Sequence, residues 1–305
     1  MRLCIAATPS VALPTLDALL KSEHEIVSLI TRPDAPAGRG RVLRSSAVSD
    51  WAVANSVPVH KPVAADEMEA LVNQCDLVVT IGFGLLLPEY ILKIPKFGFI
   101  NLHFSLLPRW RGAAPVQRAL EAGDTRTGVT VFKLDKGMDT GPIYSSLAFD
   151  IESTMNTADL LAELSKIGVS VVFDAISAIE QGIEPTDQSD SGATRADKLT
   201  SDQGEIDWTK EALSIVNKIR AFSPNPGAWS SLRGIKIKID SAIVSSEEIE
   251  AGEIALQDKK VLVGTSGGSI ELLTVKPAGK NSMSAQAWAN GLHLVPGERF
   301  EREDG

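Results

Sequence analysis

The strongest constraint on the fold is the spacing of the first thirty residues. Leu3 to Ala7 is a short apolar run, enough for one buried strand. After a turn at Thr8-Pro9-Ser10, apolar residues recur at helical spacing through Leu13, Leu16, Leu19 and Leu20. Glu25 to Thr31 reads as a second strand. Strand, helix and strand in so short a span indicate a βαβ unit, whose strands lie parallel in one sheet. Many such sheets hold a nucleotide on a glycine-rich first turn. Here that turn is Ala7-Thr8-Pro9-Ser10, no P-loop occurs, and Gly82-Phe83-Gly84 is an isolated G-x-G. The chain therefore predicts an α/β, Rossmann-like and mostly parallel sheet without the nucleotide fingerprint.

Within that sheet one stretch concentrates chemistry: Phe99 to Pro115, FINLHFSLLPRWRGAAP. It begins as a strand, and at its end Asn101 and His103 stand two residues apart. Positions i and i+2 of a strand face the same side, so an amide and an imidazole share one space. Ligands of open α/β sheets bind outside the carboxyl ends of strands, where this pair falls. Pro115 then suits the first turn of a helix. Singly, such residues are ordinary: a lone His is most often structural and a lone Asn a turn former. Downstream, Lys136-Gly137-Met138-Asp139-Thr140-Gly141-Pro142 follows a strand at Gly128–Leu134. Alone it is a turn; beside the N-x-H element it offers the acid a histidine needs. The run 82–88, GFGLLLP, follows the buried strand Leu77–Ile81, and glycines there let backbone approach a ligand closely.

The length of 305 residues suits one large domain or two ordinary ones. The segment 184–204 is rich in Asp, Ser, Thr and Gly and reads as a linker, after a long helix from Thr157 toward Gln181. Beyond it come a helix over Thr209–Phe222 and the strand-like runs 229–232, 235–239, 261–264 and 269–275. Short strands with Gly and Asp turns indicate a small barrel or sandwich. The expected boundaries are a catalytic domain over 1–200 and a smaller β domain over 205–305.

The net charge of −9 argues against an indiscriminate nucleic-acid coat but not against a local basic site. Such a site is offered by Arg32 to Ser46, where Arg32, Arg39, Arg41 and Arg44 face one Asp34 among Pro and Gly. This is either a solvated loop or a phosphate-seeking arm, since a guanidinium fork matches phosphate oxygens. The two cysteines, Cys4 and Cys75, sit in apolar runs without C-x-x-C spacing, as buried thiols in a reducing cytosol do. No run reaches the length of a membrane span. The four histidines have no ligand spacing, so no metal is expected. These features read as a soluble cytoplasmic protein, expected to be a monomer.

The run N-x-H, S-L-L-P and D-T-G, with RPDAPAGRGR at 32–41, RAFSPNPGAW at 220–229 and KPAGKNSMSAQ at 276–286, resembles the folate-dependent formyltransferases. Within them it is most similar to the group acting on methionyl-tRNA. Phe104 stands where that family usually has a small residue, and Ala7 where glycine is usual. The resemblance implies transfer of a formyl group from 10-formyltetrahydrofolate to the α-amino group of methionyl initiator tRNA. It implies Asn101, His103 and Asp139 as the catalytic residues. Folate would lie against Phe83, Gly84 and Leu85 and against Ser105, Leu106, Leu107 and Pro108. Arg39, Arg41 and Arg44 would enter the acceptor arm of the tRNA, and the C-terminal domain would be an OB-like tRNA-binding barrel. Rival readings are a formyltransferase acting on a nucleotide or amino sugar, a folate hydrolase with the same trio, and a non-catalytic tRNA-binding module.

The two readings of the Arg loop separate at Arg39. If the loop is an arm, Arg39→Ala lowers kcat/KM on Met-tRNA by about 10²-fold, because misplacing the acceptor end misplaces the amine. Folate affinity stays unchanged, and Arg39→Lys recovers little. Steady-state kinetics beside folate titration checks this; agreement of Arg39→Ala with wild type within about twofold returns the loop to a solvated connection, since isolated surface charges are worth little.

Overall fold

The opening βαβ unit forms as its spacing requires, and the sheet grows from it. A computed structural model describes residues 1–37, 42–64, 66–295 and 297–301. Strands β1 (Arg2–Ala7) and β2 (Glu25–Ile30) flank helix α1 (Leu13–Leu20). Next come β3 (Ala35–Ala37), β4 (Val42–Arg44), α2 (Ala47–Ala54), β5 (Val59–His60), α3 (Met68–Val72), β6 (Leu77–Ile81) and α4 (Glu89–Leu92). Then follow β7 (Phe99–His103), α5 (Pro115–Glu121), β8 (Arg126–Lys133), β9 (Ile143–Asp150) and α6 (Thr157–Glu180). Seven of these strands make one sheet in the order β5-β2-β1-β6-β7-β8-β9. The pairs from β5 to β7 are parallel, and β7–β8 and β8–β9 are antiparallel.

The strand β7 lies inside this sheet, and its alternation decides what each side receives. Leu102 is buried against α6, where a Cβ on Gly168 would stand 2.9 Å from Leu102 Cδ2. A glycine there lets the helix approach closely, and Asn101 and His103 face the other way. On one face Cys4, Ile30, Val78 and Phe99 pack with Met68, Val72 and Ile91 into a core. The segment 32–46, read above as a loop, contains a two-stranded ribbon in which Pro36 pairs with Leu43. Its tip, with Arg39 and Arg41, lies outside the described residues.

By its contacts the chain divides into two units. The first comprises Met1–Pro115, Arg126–Asp150 and Leu161–Ala196, and the second Val116–Thr125, Ile151–Leu160 and Asp197–Gly305. The second holds α7 (Ala212–Phe222), β10 (Ala228–Leu232), β11 (Ile235–Ser245), β12 (Ile254–Gln257), β13 (Lys260–Gly264), β14 (Ser269–Pro277), β15 (Met283–Ser284) and α8 (Ala285–Leu292). Its sheet runs β10-β11-β14-β13-β12, all antiparallel, with β15 beside β14. Trp208 stacks on Phe300 at 5.1 Å between ring centres, and Trp288 on the same ring at 6.0 Å. Among the described residues no ladder joins the edge strands β10 and β12, so the expected barrel is not closed by strand pairing. Residues 298–301 stand between the edges instead: Glu301 bridges Ser231, and Arg299 bridges Glu253.

The close approach at Gly168 carries a prediction. Gly168→Val has to displace Leu102, and overpacking of this kind costs about 1–3 kcal/mol. A lowered urea midpoint at unchanged slope is expected; an unchanged midpoint would mean that Leu102 moves freely.

Candidate active site

The strand ends and loops of the first unit enclose an open cleft of about 440 Å³. It is floored by the ends of β6 and β7 and walled by residues 82–87 and 134–139. Asn101, His103 and Asp139 all line it, and so do Phe83, Gly84 and Leu85. Ser105, Leu106, Leu107 and Pro108 are not among the lining residues. Ser105 is wholly buried and its hydroxyl donates to the Arg109 carbonyl at 2.7 Å. The Thr130 hydroxyl donates to the Ser105 carbonyl at 2.7 Å and accepts from the Leu107 N–H at 3.2 Å. This run therefore braces the turn that leads from β7 to Trp110. Phe104 lines the cleft, while Ala7 is buried in β1. Arg44 is exposed on β4.

The two halves of the site come from different directions. The segment after β8 leaves the sheet beside Phe99, where the Leu134 N–H meets the Phe99 carbonyl at 2.9 Å. It re-enters at Ile143, which pairs with Phe132, and in between it brings Asp139 back to His103. Gly141 makes that return possible, since a Cβ there would collide with the Lys133 carbonyl. Asp139 sits at φ +55, a left-handed conformation that Asp tolerates better than most residues. Trp110, at φ +65, is a bulky residue in the same region, a conformation that persists only where surroundings enforce it.

Hydrogen bonds settle the polarity of the site. His103 is buried, and its Nε2 lies 2.8 Å from the Trp110 carbonyl. A carbonyl only accepts, so Nε2 carries a proton and Nδ1 of the neutral ring keeps its lone pair. Nδ1 stands 3.8 Å from Asp139 Oδ2, and that carboxylate oxygen accepts the Gly112 N–H at 2.8 Å. Burial pushes the His103 pKa below the ordinary histidine value, while the Asp139 charge and the Trp110 carbonyl pull against it. The Asp139 charge by itself would raise this pKa, but desolvation outweighs it. Asn101 Oδ1 accepts from the Thr80 hydroxyl at 2.7 Å, which leaves its amide nitrogen as the group to offer a ligand.

Thr80 and the 186–196 segment were not legible as parts of the site. The latter looks like a polar linker by composition, yet it runs beside the loops just described. Thr186 exchanges backbone hydrogen bonds with Ile143 at 2.7 and 2.9 Å, and Ala196 does so with Arg111 and Ala114 at 2.8 and 3.0 Å.

Cleft, sheet and the N-x-H and D-T-G elements define an enzyme that transfers formyl groups. The family profile described as formyl transferase matches residues 1–176, and that of the formyl transferase C-terminal domain matches 198–293. A methionyl-tRNA formyltransferase of Thermobifida fusca is 42% identical, over 98% of this chain and 99% of that protein. One from Acidothermus cellulolyticus is 41% identical, over 99% of this chain and all of that protein. The chain belongs to the methionyl-tRNA formyltransferase family. Solved structures share the fold: a methionyl-tRNA formyltransferase from Clostridium thermocellum matches with a TM-score of 0.58 at 17% identity, over 82% of this chain and 96% of that one. HypX from Aquifex aeolicus in complex with tetrahydrofolic acid matches at 0.68 and 19%, over 99% of this chain and half of that one.

If the neutral, buried His103 is the base, the sign of the pH dependence is fixed. The acid limb of kcat/KM, which reports the free enzyme, falls below the ordinary histidine value of 6.5. Asp139→Asn removes the charge that favours the imidazolium, so the limb moves to still lower pH while the plateau drops by about 10²–10⁴-fold. A pH–rate profile of both proteins checks this, and a limb that rises in Asp139→Asn would reverse the assignment.

Proposed function

We propose that this chain carries the formyl group of 10-formyltetrahydrofolate to the α-amino group of methionyl initiator tRNA, which prepares that tRNA for translation initiation. The observation that carries the chemistry is the His103–Asp139 pair, with the base proton-free at Nδ1 and the carboxylate held by a backbone N–H.

The amine nitrogen attacks the formyl carbon, which becomes tetrahedral with negative charge on oxygen. The Asn101 amide nitrogen donates to that oxygen, and a fixed donor of this kind contributes roughly 3 kcal/mol. His103 Nδ1, directly or through one water, takes the proton the amine must lose. The imidazolium that results is paired with Asp139. The bond from the formyl carbon to the folate nitrogen then breaks, and the imidazolium returns the proton to that nitrogen. Formyl-methionyl-tRNA and tetrahydrofolate leave. His103 ends as it began, so no further reactant is needed.

The walls of the cleft suit a flat heterocycle. Phe83, Leu85, Leu87 and Leu92 line it with apolar side chains, and Gly84 adds no side chain to its backbone edge. We assign the donor's pterin to this part, with Phe83, Gly84 and Leu85 against it. Ser105 to Pro108 would act on folate only through the backbone they brace. Arg39, Arg41 and Arg44 are assigned to the acceptor arm of the tRNA, supported by their charge and by the ribbon that carries Arg44. The second unit is read as an OB-like tRNA platform, supported by its antiparallel sheet and by the bridges through Glu301 and Arg299. Charged tRNA places the enzyme in the cytoplasm.

The test is acceptor choice. With 10-formyltetrahydrofolate as donor, Met-tRNA is expected to gain the formyl group and a free amino sugar or glycinamide ribonucleotide is not; equal transfer to either small amine overturns the reading. Asn101→Ala should lower kcat by about 10²–10³-fold, the range for one lost oxyanion donor, with donor affinity retained. A loss confined to donor affinity would make Asn101 a binding residue only.

A further inference from the structure

The side chain of Gln188 makes four hydrogen bonds, two to each half of the site. Its Nε2 donates to the Asp139 carbonyl at 2.9 Å and to the Gly141 carbonyl at 2.7 Å. Its Oε1 accepts from Arg111 Nε at 3.1 Å and from Arg111 Nη2 at 2.9 Å. A carboxamide has two N–H donors and two oxygen lone pairs, and all four are used. The orientation of the amide is therefore settled by its partners. Turning it over would set oxygen against two carbonyls and N–H against a guanidinium.

The partners of Gln188 matter more than their number. Arg111 lies between Trp110, whose carbonyl receives His103 Nε2–H, and Gly112, whose N–H holds the Asp139 carboxylate. The other two partners are the carbonyl of Asp139 itself and that of Gly141. The Thr186–Ile143 backbone pair fixes the start of the segment, and the Trp110 N–H donates to Thr194 Oγ1 at 2.9 Å further along it. Asp139 keeps its left-handed backbone inside this ring of contacts.

We propose that Gln188 is a positioning residue for formyl transfer: by joining the Arg111 guanidinium to the Asp139 and Gly141 carbonyls, it sets the Asp139 carboxylate against His103. The proposal rests on the reading of His103 and Asp139 as the proton-handling pair. Glutamate cannot replace Gln188, although it has the same length and would pair with Arg111. It brings a negative oxygen to two carbonyl oxygens. Leucine keeps the volume and makes none of the four bonds.

Gln188→Glu and Gln188→Leu are compared with wild type for kcat, donor KM and the pH profile of kcat/KM. The expected result is a fall in kcat of about 10–10²-fold, as for a small misplacement of a catalytic group. Donor KM stays nearly constant, and the acid limb moves to lower pH because Asp139 no longer supports the imidazolium. In an Asp139→Asn background, Gln188→Leu should add almost nothing, since residues acting through one contact are not additive. A full, independent loss in the double variant overturns the proposal. So does a lowered melting temperature with an unmoved limb, or failure of both variants to fold, because each makes Gln188 only a structural brace. The Asp139→Asn protein alone judges the underlying reading: if it keeps wild-type kcat and limb, the His103–Asp139 assignment fails, whatever Gln188 does.

Discussion

The site depends on one hydrogen bond between two loops, from the Gly112 N–H to the Asp139 carboxylate. Neither loop is set by regular structure. One follows a sheet strand and turns back through Trp110 in a left-handed conformation; the other leaves the sheet beside Phe99 and returns across the face of β7. A carboxylate that accepts a backbone N–H is held in place, and charge-assisted bonds of this kind exceed neutral ones in strength. That fixed negative group stands 3.8 Å from the buried imidazole. Desolvation alone would keep His103 neutral and a poor proton acceptor, and the nearby charge restores part of its basicity without letting it charge at rest.

The sequence shows the members of this arrangement better than it shows what holds them. Asn101 and His103 are legible because a strand repeats every two residues, and Leu102 between them goes to α6 as that repeat demands. Asp139 is legible only beside the N-x-H element, since alone its loop reads as an ordinary turn. The bracing is not legible. Within 105–108, Ser105 and Leu107 are tied to Thr130 on the neighbouring strand, the former a contact 25 residues away in the chain. Gln188 lies in a run whose composition says linker, and only tertiary hydrogen bonds make it part of the site.

The same limit explains the elements that periodicity passes over. The ribbon Ala35–Ala37 with Val42–Arg44 is two three-residue strands, and Pro36 within it argues against a strand by local rules. β12 and α8 are short, and α8 is fixed by distant partners. Trp288 of α8, for example, stacks on Phe300. The bridges at Glu301 and Arg299 belong to the chain's last described residues, where no pattern announces a strand.

Thr80 shows how little a pattern can say about polarity. Its hydroxyl has one proton and two acceptors in reach, the Ile100 carbonyl at 3.0 Å and Asn101 Oδ1 at 2.7 Å. If the proton went wholly to Ile100, the Asn101 amide would gain by turning its nitrogen toward Thr80, and its oxygen would face the cleft. An oxygen there would repel the negative charge that formyl transfer builds up. The shorter contact directs the Thr80 proton to Asn101 Oδ1, which leaves the amide nitrogen for the cleft. A buried threonine on the neighbouring strand thus sets which end of the Asn101 amide meets the cleft, and β6 adds that contact to its place in the cleft floor.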